Sequence, residues 1–111
     1  MLARQIARHA TFRPDKHGKA DLLRGDHLYA GLNTFEPGQV QAVHSHAGQD
    51  KLYYVVEGTG VVEVGGEVST VHAGDLVLAP SSVPHGLVNP GPARLIVMVV
   101  FGPPPPAKPA A

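Results

Sequence analysis

From His27 onward the chain consists of short runs of branched, aromatic and alternating residues, cut by glycine, proline, asparagine and aspartate. Such punctuation predicts strands rather than helices. The runs are 27–35, 40–46, 51–57, 61–64, 67–72, 76–79, 85–89 and 93–101. Glu36-Pro37-Gly38 suits a type II turn, Gly65-Gly66 a hairpin turn, and Pro80 to Pro84 a rigid loop. Turn signals about every 8–12 residues argue for an all-β sandwich or barrel. Strict alternation along the second run places Val40, Ala42, His44 and His46 on one face. Residues 1–25 are mixed and polar, broken at Pro14 and Gly18 and closed by Gly25. They predict an N-terminal arm carrying one or two edge strands.

One run departs from alternation. Arg94 to Phe101 is apolar on both faces, whereas a strand with one solvated face should alternate. One face can line the core while the other packs on a second subunit, which predicts a homodimer; the alternative cover is the N-terminal arm. Residues 102–111 are rich in proline and predict a polyproline II or disordered tail.

Composition narrows the functional classes. At 111 residues the chain predicts a single domain with one modest core. Nine basic and nine acidic residues cancel, so no basic field exists to hold nucleic acid or an anionic membrane. Charged residues are only 16% of the chain against 43% hydrophobic, again consistent with apolar surface hidden against a copy. There is no cysteine, which removes disulfides and thiolate metal sites. No apolar run approaches a membrane-spanning length and the first residues lack a signal-peptide pattern. The default expectation is a soluble cytoplasmic protein.

Candidate chemistry lies in three histidines. His44 and His46, at i and i+2 on an extended strand, project from the same face. A third imidazole from a later strand, His85, can close a facial three-histidine site suited to a borderline divalent metal. His-x-His alone is a weak signal; the glycines, prolines and asparagine around it give it weight.

Those surrounding residues resemble the cupin family. Its first motif reads Gly, five residues, His-x-His, three or four residues, Glu, six residues, Gly. Here Gly38, five residues, His44-Ser45-His46 and then Gly58 fall into place. Its second motif reads Gly, five residues, Pro-x-Gly, two residues, His, three residues, Asn. Gly74, Pro80, His85 and Asn89 match at that spacing, with Ser82 in place of the glycine. The resemblance covers about residues 26–101. It implies a single-domain jelly-roll-like β-barrel of two packed antiparallel sheets, usually a homodimer. It also implies one divalent transition metal (Fe, Mn, Ni, Zn or Cu) near the barrel mouth, held by His44, His46 and His85.

The departure from that pattern concerns the fourth ligand. Counting back from Gly58, the family's glutamate position is Lys51. An ammonium cannot coordinate and repels a divalent ion. Asp50 or Gln49 can supply an oxygen instead, or water or substrate completes a three-histidine shell and leaves open positions. Lys51 itself is a candidate catalytic residue: desolvated, it would have a lowered pKa and serve as general base or bind an anionic substrate. The bland alternative is a snorkelling lysine paired with Asp50 or Glu57. Tyr53 shares the parity of Lys51 and is a weaker catalytic candidate, with packing as its competing role. His9, His17, His27 and His72 have no partner at ligand spacing and read as surface residues.

Function then divides three ways. The leading expectation is a metal-dependent small-molecule enzyme, with oxygenase chemistry or isomerase and lyase chemistry at an open three-histidine site. The others are a non-catalytic ligand-binding or sensing module and a metal-free scaffold. Fold and ligand set do not choose the substrate.

Overall fold

The computed structural model describes residues 1–106, so residues 107–111 of the proline-rich tail lie outside the described residues. The described residues form a short 3-10 helix, Ile6–His9, and nine strands. These are β1 (Gly18–Arg24), β2 (Tyr29–Phe35), β3 (Val40–His44), β4 (Asp50–Glu57), β5 (Thr59–Val64), β6 (Glu67–His72), β7 (Leu76–Ala79), β8 (His85–Val88) and β9 (Leu95–Gly102). The residues before Gly25 contribute one edge strand, β1, paired antiparallel with β2.

Two antiparallel sheets pack face to face, in strand orders β1-β2-β9-β4-β7 and β3-β8-β5-β6. Their inner faces meet in a core of Phe35, Tyr53, Val55, Val62, Val71, Leu87, Leu95, Val97 and Val99. Inward and outward positions alternate along β4, where Lys51, Tyr53 and Val55 are buried and Tyr54 is exposed. Area removed from water drives this assembly, at about 25 cal/mol per Å² of apolar surface.

At the base of the sandwich the backbone is locked by Asn89. Its Nδ2 donates to the carbonyls of Phe35 at 3.0 Å and Ala93 at 2.9 Å, and its Oδ1 accepts from the N–H of Gly91 at 2.8 Å. Gly58, at φ +91°, closes the same end: an added Cβ would run into the carbonyl of Arg94.

The outer face of the larger sheet is covered unequally. Near Thr34 and Ile96 the N-terminal arm lies on it: Thr34 Oγ1 donates to the carbonyl of Thr11, and Arg94 stacks 4.2 Å from the Phe12 ring centroid. Of the two covers predicted for this face, the arm is the one observed, and it reaches only one part of the face. Along β4 and β7, Tyr54, Leu76 and Leu78 remain exposed, Leu76 by 63%. No helix among the described residues is long and apolar enough to cross a membrane.

Candidate metal and ligand site

Register between β3 and β8 brings two of the three histidines side by side. Gln41 pairs with Leu87 and His44 with His85, so β3 has two intervening residues where β8 has only Gly86. That is a β-bulge. It corrects the face expected from alternation: His44 joins the inward face of Gln41, while Val40, Ala42 and Val43 are exposed. Gly86 is what admits the bulge, because a Cβ there would stand 2.9 Å from the Gln41 carbonyl oxygen and 3.0 Å from the Val43 nitrogen.

His46 lies just past the end of β3 rather than within a strand. Its carbonyl accepts the N–H of Ser82 at 2.9 Å, which ties the His-x-His segment to the loop before β8. Ser82, where the family has glycine, sits at φ +67°. The motif's glycine is thus explained by a left-handed backbone that serine tolerates at a cost.

The three rings converge. Centroids of His44 and His85 are 4.5 Å apart, those of His44 and His46 4.8 Å, and those of His46 and His85 6.2 Å. His44 Nδ1 lies 2.8 Å from the carbonyl of Ala42, and His85 Nδ1 lies 2.9 Å from that of Val83. A carbonyl beside Nδ1 selects the Nδ1–H tautomer and leaves Nε2 with its lone pair free. His85 is 3% exposed and its buried Nε2 has no hydrogen-bond partner. Burial holds the pKa of both His85 and His46 below the ordinary imidazole value, with Lys51 and neighbouring histidines adding to the effect. Neutral rings with a free Nε2 are the form a metal requires. The wider His46–His85 separation belongs to the exposed ring, which has room to turn. Among the described residues, no three His, Asp or Glu side chains stand already closed in metal-holding geometry.

Lys51 lies inward, only 3% exposed, with Nζ 4.5 Å from the Tyr53 ring centroid and 4.9 Å from that of Phe101. Among the described residues it has no carboxylate partner, so the expected pairing with Asp50 or Glu57 does not form. Burial, reinforced by Lys19, pushes its pKa down to about 8. Asp50, the candidate extra ligand, is exposed and its Oδ1 accepts the N–H of Ser81 at 2.8 Å. Adjacent strand positions face opposite ways, so an inward Lys51 sends Asp50 outward. Gln49 lines the cavity beside the histidines, and its Nε2 donates to the carbonyl of Pro103 at 2.9 Å.

Tyr53 is buried core whose hydroxyl donates to Gln41 Oε1 at 2.8 Å. Burial drives its pKa up, so the phenol stays protonated at neutral pH. It orients Gln41 and does not line the cavity itself. His17 corrects its surface assignment: it is half-buried, stacked 5.3 Å from the Phe35 ring, with a buried and unpartnered Nε2.

A cavity of about 640 Å³ opens between the sheets at this end. Besides His44, His46 and Lys51 it is lined by Gln41, Lys19 and Arg24, which the sequence reading did not single out. Gln41 was hidden by the bulge, for which Gly86 is the one visible signal. Lys19 and Arg24 carried none, being read as part of an arm. Pro105 and Pro106 border the cavity, and the Arg24 guanidinium donates to the Pro105 carbonyl. The first residues of the tail thus pack on the rim, because Arg24 and Gln49 supply the donors that proline carbonyls can accept.

The cupin-domain family profile matches residues 31–101. The crystal structure of a Thermus thermophilus protein superposes with a TM-score of 0.90 at 35% identity, covering 95% of this chain and 100% of that one. A gentisate 1,2-dioxygenase of Aquipseudomonas alcaligenes is 40% identical over 72 residues, 64% of this chain but only 20% of the dioxygenase. An oxalate-binding protein of Thermotoga maritima is 31% identical over 93 residues, 84% of this chain and 71% of that protein. With the family profile spanning most of the two-sheet sandwich and both histidine motifs, the chain belongs to the cupin-domain family.

Proposed function

We propose that the protein is a metal-dependent small-molecule cupin in which His44, His46 and His85 hold one divalent transition ion. The observation that carries this reading is the buried, unpartnered Nε2 of His85. A buried polar atom without a partner costs roughly 1–3 kcal/mol, a cost that a ligated ion removes. The carbonyls on Nδ1 of His44 and His85 are the outer partners that metal-binding imidazoles ordinarily have. A three-histidine donor set without thiolate or carboxylate suits Fe, Mn, Ni, Zn or Cu.

Bound there, such an ion would supply Lewis-acid polarisation or, if redox-active, oxygenase chemistry. The remaining work belongs to the chain's own groups. Lys51 presents an ammonium that can give up a proton near neutral pH. Gln41, held by Tyr53, offers its amide to a bound molecule, and Pro105 and Pro106 restrict water at the rim. Similarity to the gentisate dioxygenase favours an oxygenase, and isomerase or lyase chemistry uses the same open site. Similarity to the oxalate-binding protein supports a second reading, a non-catalytic binding module built on the same residues. Exposed Tyr54, Leu76 and Leu78 support a homodimer formed through the outer face of the larger sheet.

Elemental analysis of protein purified without chelators or nickel resin tests the assignment. Close to one equivalent of a transition metal is expected in the native chain, and less than about a tenth in a folded His85→Ala variant. Full occupancy in that variant would remove His85 from the ligand set.

A further inference from the structure

Besides the buried His85 Nε2, which does not line the cavity, there is an unmet demand in the cavity wall itself. Lys51 is a buried cation with no carboxylate partner among the described residues, and its ammonium lies over two aromatic faces, those of Tyr53 and Phe101. Cation–π contact offsets part of the desolvation cost, by roughly 0.5–2 kcal/mol. A buried ammonium without an anion still falls short of what it loses on leaving water. Nζ is not sealed off: Lys51 lines the cavity, so an entering molecule can reach it.

The charges around it agree in sign. Lys19, Arg24 and Lys51 line the cavity against a single carboxylate, Asp21, which already accepts the Tyr29 hydroxyl at 2.6 Å. Among the described residues, Arg24 is occupied only by the carbonyl of Pro105, a neutral acceptor that an anion would outcompete. Between these cations the walls are apolar: Val99 and Phe101 from β9, and Pro105 and Pro106 from the rim. A space of about 640 Å³ also exceeds what a small inorganic anion fills.

We infer that the cavity receives a small organic acid, a carboxylate carried on an aromatic or short apolar body, with Lys51 as the residue that recognises the carboxylate and Arg24 as a second cation at the mouth. This rests on the small-molecule reading of the same cavity, but does not depend on the metal. Lys51 Nζ and the His85 ring both flank Tyr53, the latter at 6.1 Å between ring centroids. A molecule anchored on Lys51 therefore has its body beside the histidines. The family's glutamate position has in this chain become a substrate-binding position of opposite charge.

Calorimetric titration with benzoate, benzamide and acetate at pH 7 in low-chloride buffer tests this, on chelator-stripped and zinc-loaded protein. Benzoate is expected to bind at least about tenfold more tightly than neutral benzamide, and about tenfold more tightly than acetate. Lys51→Met, which preserves side-chain length, should weaken benzoate about tenfold or more, and Lys51→Arg should retain most of the affinity. Equal binding of benzoate and benzamide, no benzoate binding, or unchanged affinity in a folded Lys51→Met variant would overturn the inference. Acetate binding as well as benzoate would overturn the claim of an apolar body. The comparison among ligands needs no variant, so a misfolded mutant leaves it intact. Zinc content measured on the same samples keeps the outcomes apart: benzoate binding without zinc uptake removes the metal and leaves the acid, and the reverse result removes the acid.

Discussion

His85, which opens β8, and Asn89, just past its end, are about 13 Å apart at strand rise and meet opposite conditions. At one end Asn89 is 1% exposed and its amide nitrogen and oxygen make three hydrogen bonds to backbone groups. At the other, His85 is 3% exposed and its Nε2 makes none, while Lys51 is equally buried with no carboxylate partner among the described residues. Both ends bury polar side chains, but only one satisfies them. A fold stabilised for its own sake would have filled the second end with hydrocarbon, which is often neutral or favourable relative to buried charge. The base of the sandwich holds the barrel together; the mouth leaves buried polar groups unsatisfied, as the proposed ligand and metal site requires.

Disabling the closed end should produce the largest stability effect. Asn89→Ala removes three hydrogen bonds and strands two carbonyls and an N–H, for a loss of about 3 kcal/mol in denaturant unfolding. In whatever fraction remains folded, metal content should be unchanged. A loss below about 1 kcal/mol would mean that water replaces the asparagine and that the end is not closed as described.

The open end should respond in the other direction. Lys51 has an ordinary pKa of 10.5 and a folded value pushed down to about 8 by burial. Between these values the unfolded chain binds one more proton than the folded one, so stability rises with pH across that window, by up to about 3 kcal/mol. Lys51→Met should abolish that rise and be more stable than the native chain at pH 7, while losing affinity for benzoate. Denaturant melts at pH 7, 8, 9 and 10 on both proteins read this directly. Parallel profiles would show that Lys51 stays solvated. Tyr53 and Tyr29, whose pKa values burial pushes up, act oppositely above pH 10, which limits the useful range.

A smaller effect is expected at Ser82, in the loop that leads into β8. Ser82→Gly relieves a left-handed φ of +67° at the cost of greater freedom in the unfolded chain. A net gain of about 0.5 kcal/mol is expected, with the Ser82 N–H still holding the His46 carbonyl. Destabilisation by the glycine would mean that the serine side chain contributes something its backbone does not.

Much of this contrast was legible in the chain before its structure. The strands from β2 onward follow from turn residues placed between apolar runs, and the Gly, Pro and Asn spacing around the histidines locates both ends of β8. Period-2 reasoning failed where β3 carries an extra residue. A bulge changes the face of every residue beyond it, and its only trace is the missing side chain of Gly86. The strand β1 was obscure because an edge strand with one solvated face carries little apolar signal, so Lys19 and Arg24 could not be placed at a cavity. Contact between Pro103–Pro106 and the rim depends on donors some fifty to eighty residues away in sequence, which no local pattern encodes. The motif located Lys51, but only the packing around it shows that its charge is left unpaired.

On the proposed reading, the mouth is poised to bind through free imidazole nitrogens. Long-range proton–nitrogen correlation spectra of 15N-histidine-labelled protein, recorded before and during zinc addition, test it most directly. Nδ1–H tautomers are expected for His44 and His85 without metal. Zinc should then saturate at one equivalent, with the Nε2 resonances of His44, His46 and His85 displaced and those of His9, His27 and His72 unmoved. An Nε2–H tautomer at His85, or zinc leaving all three resonances where they were, would contradict it.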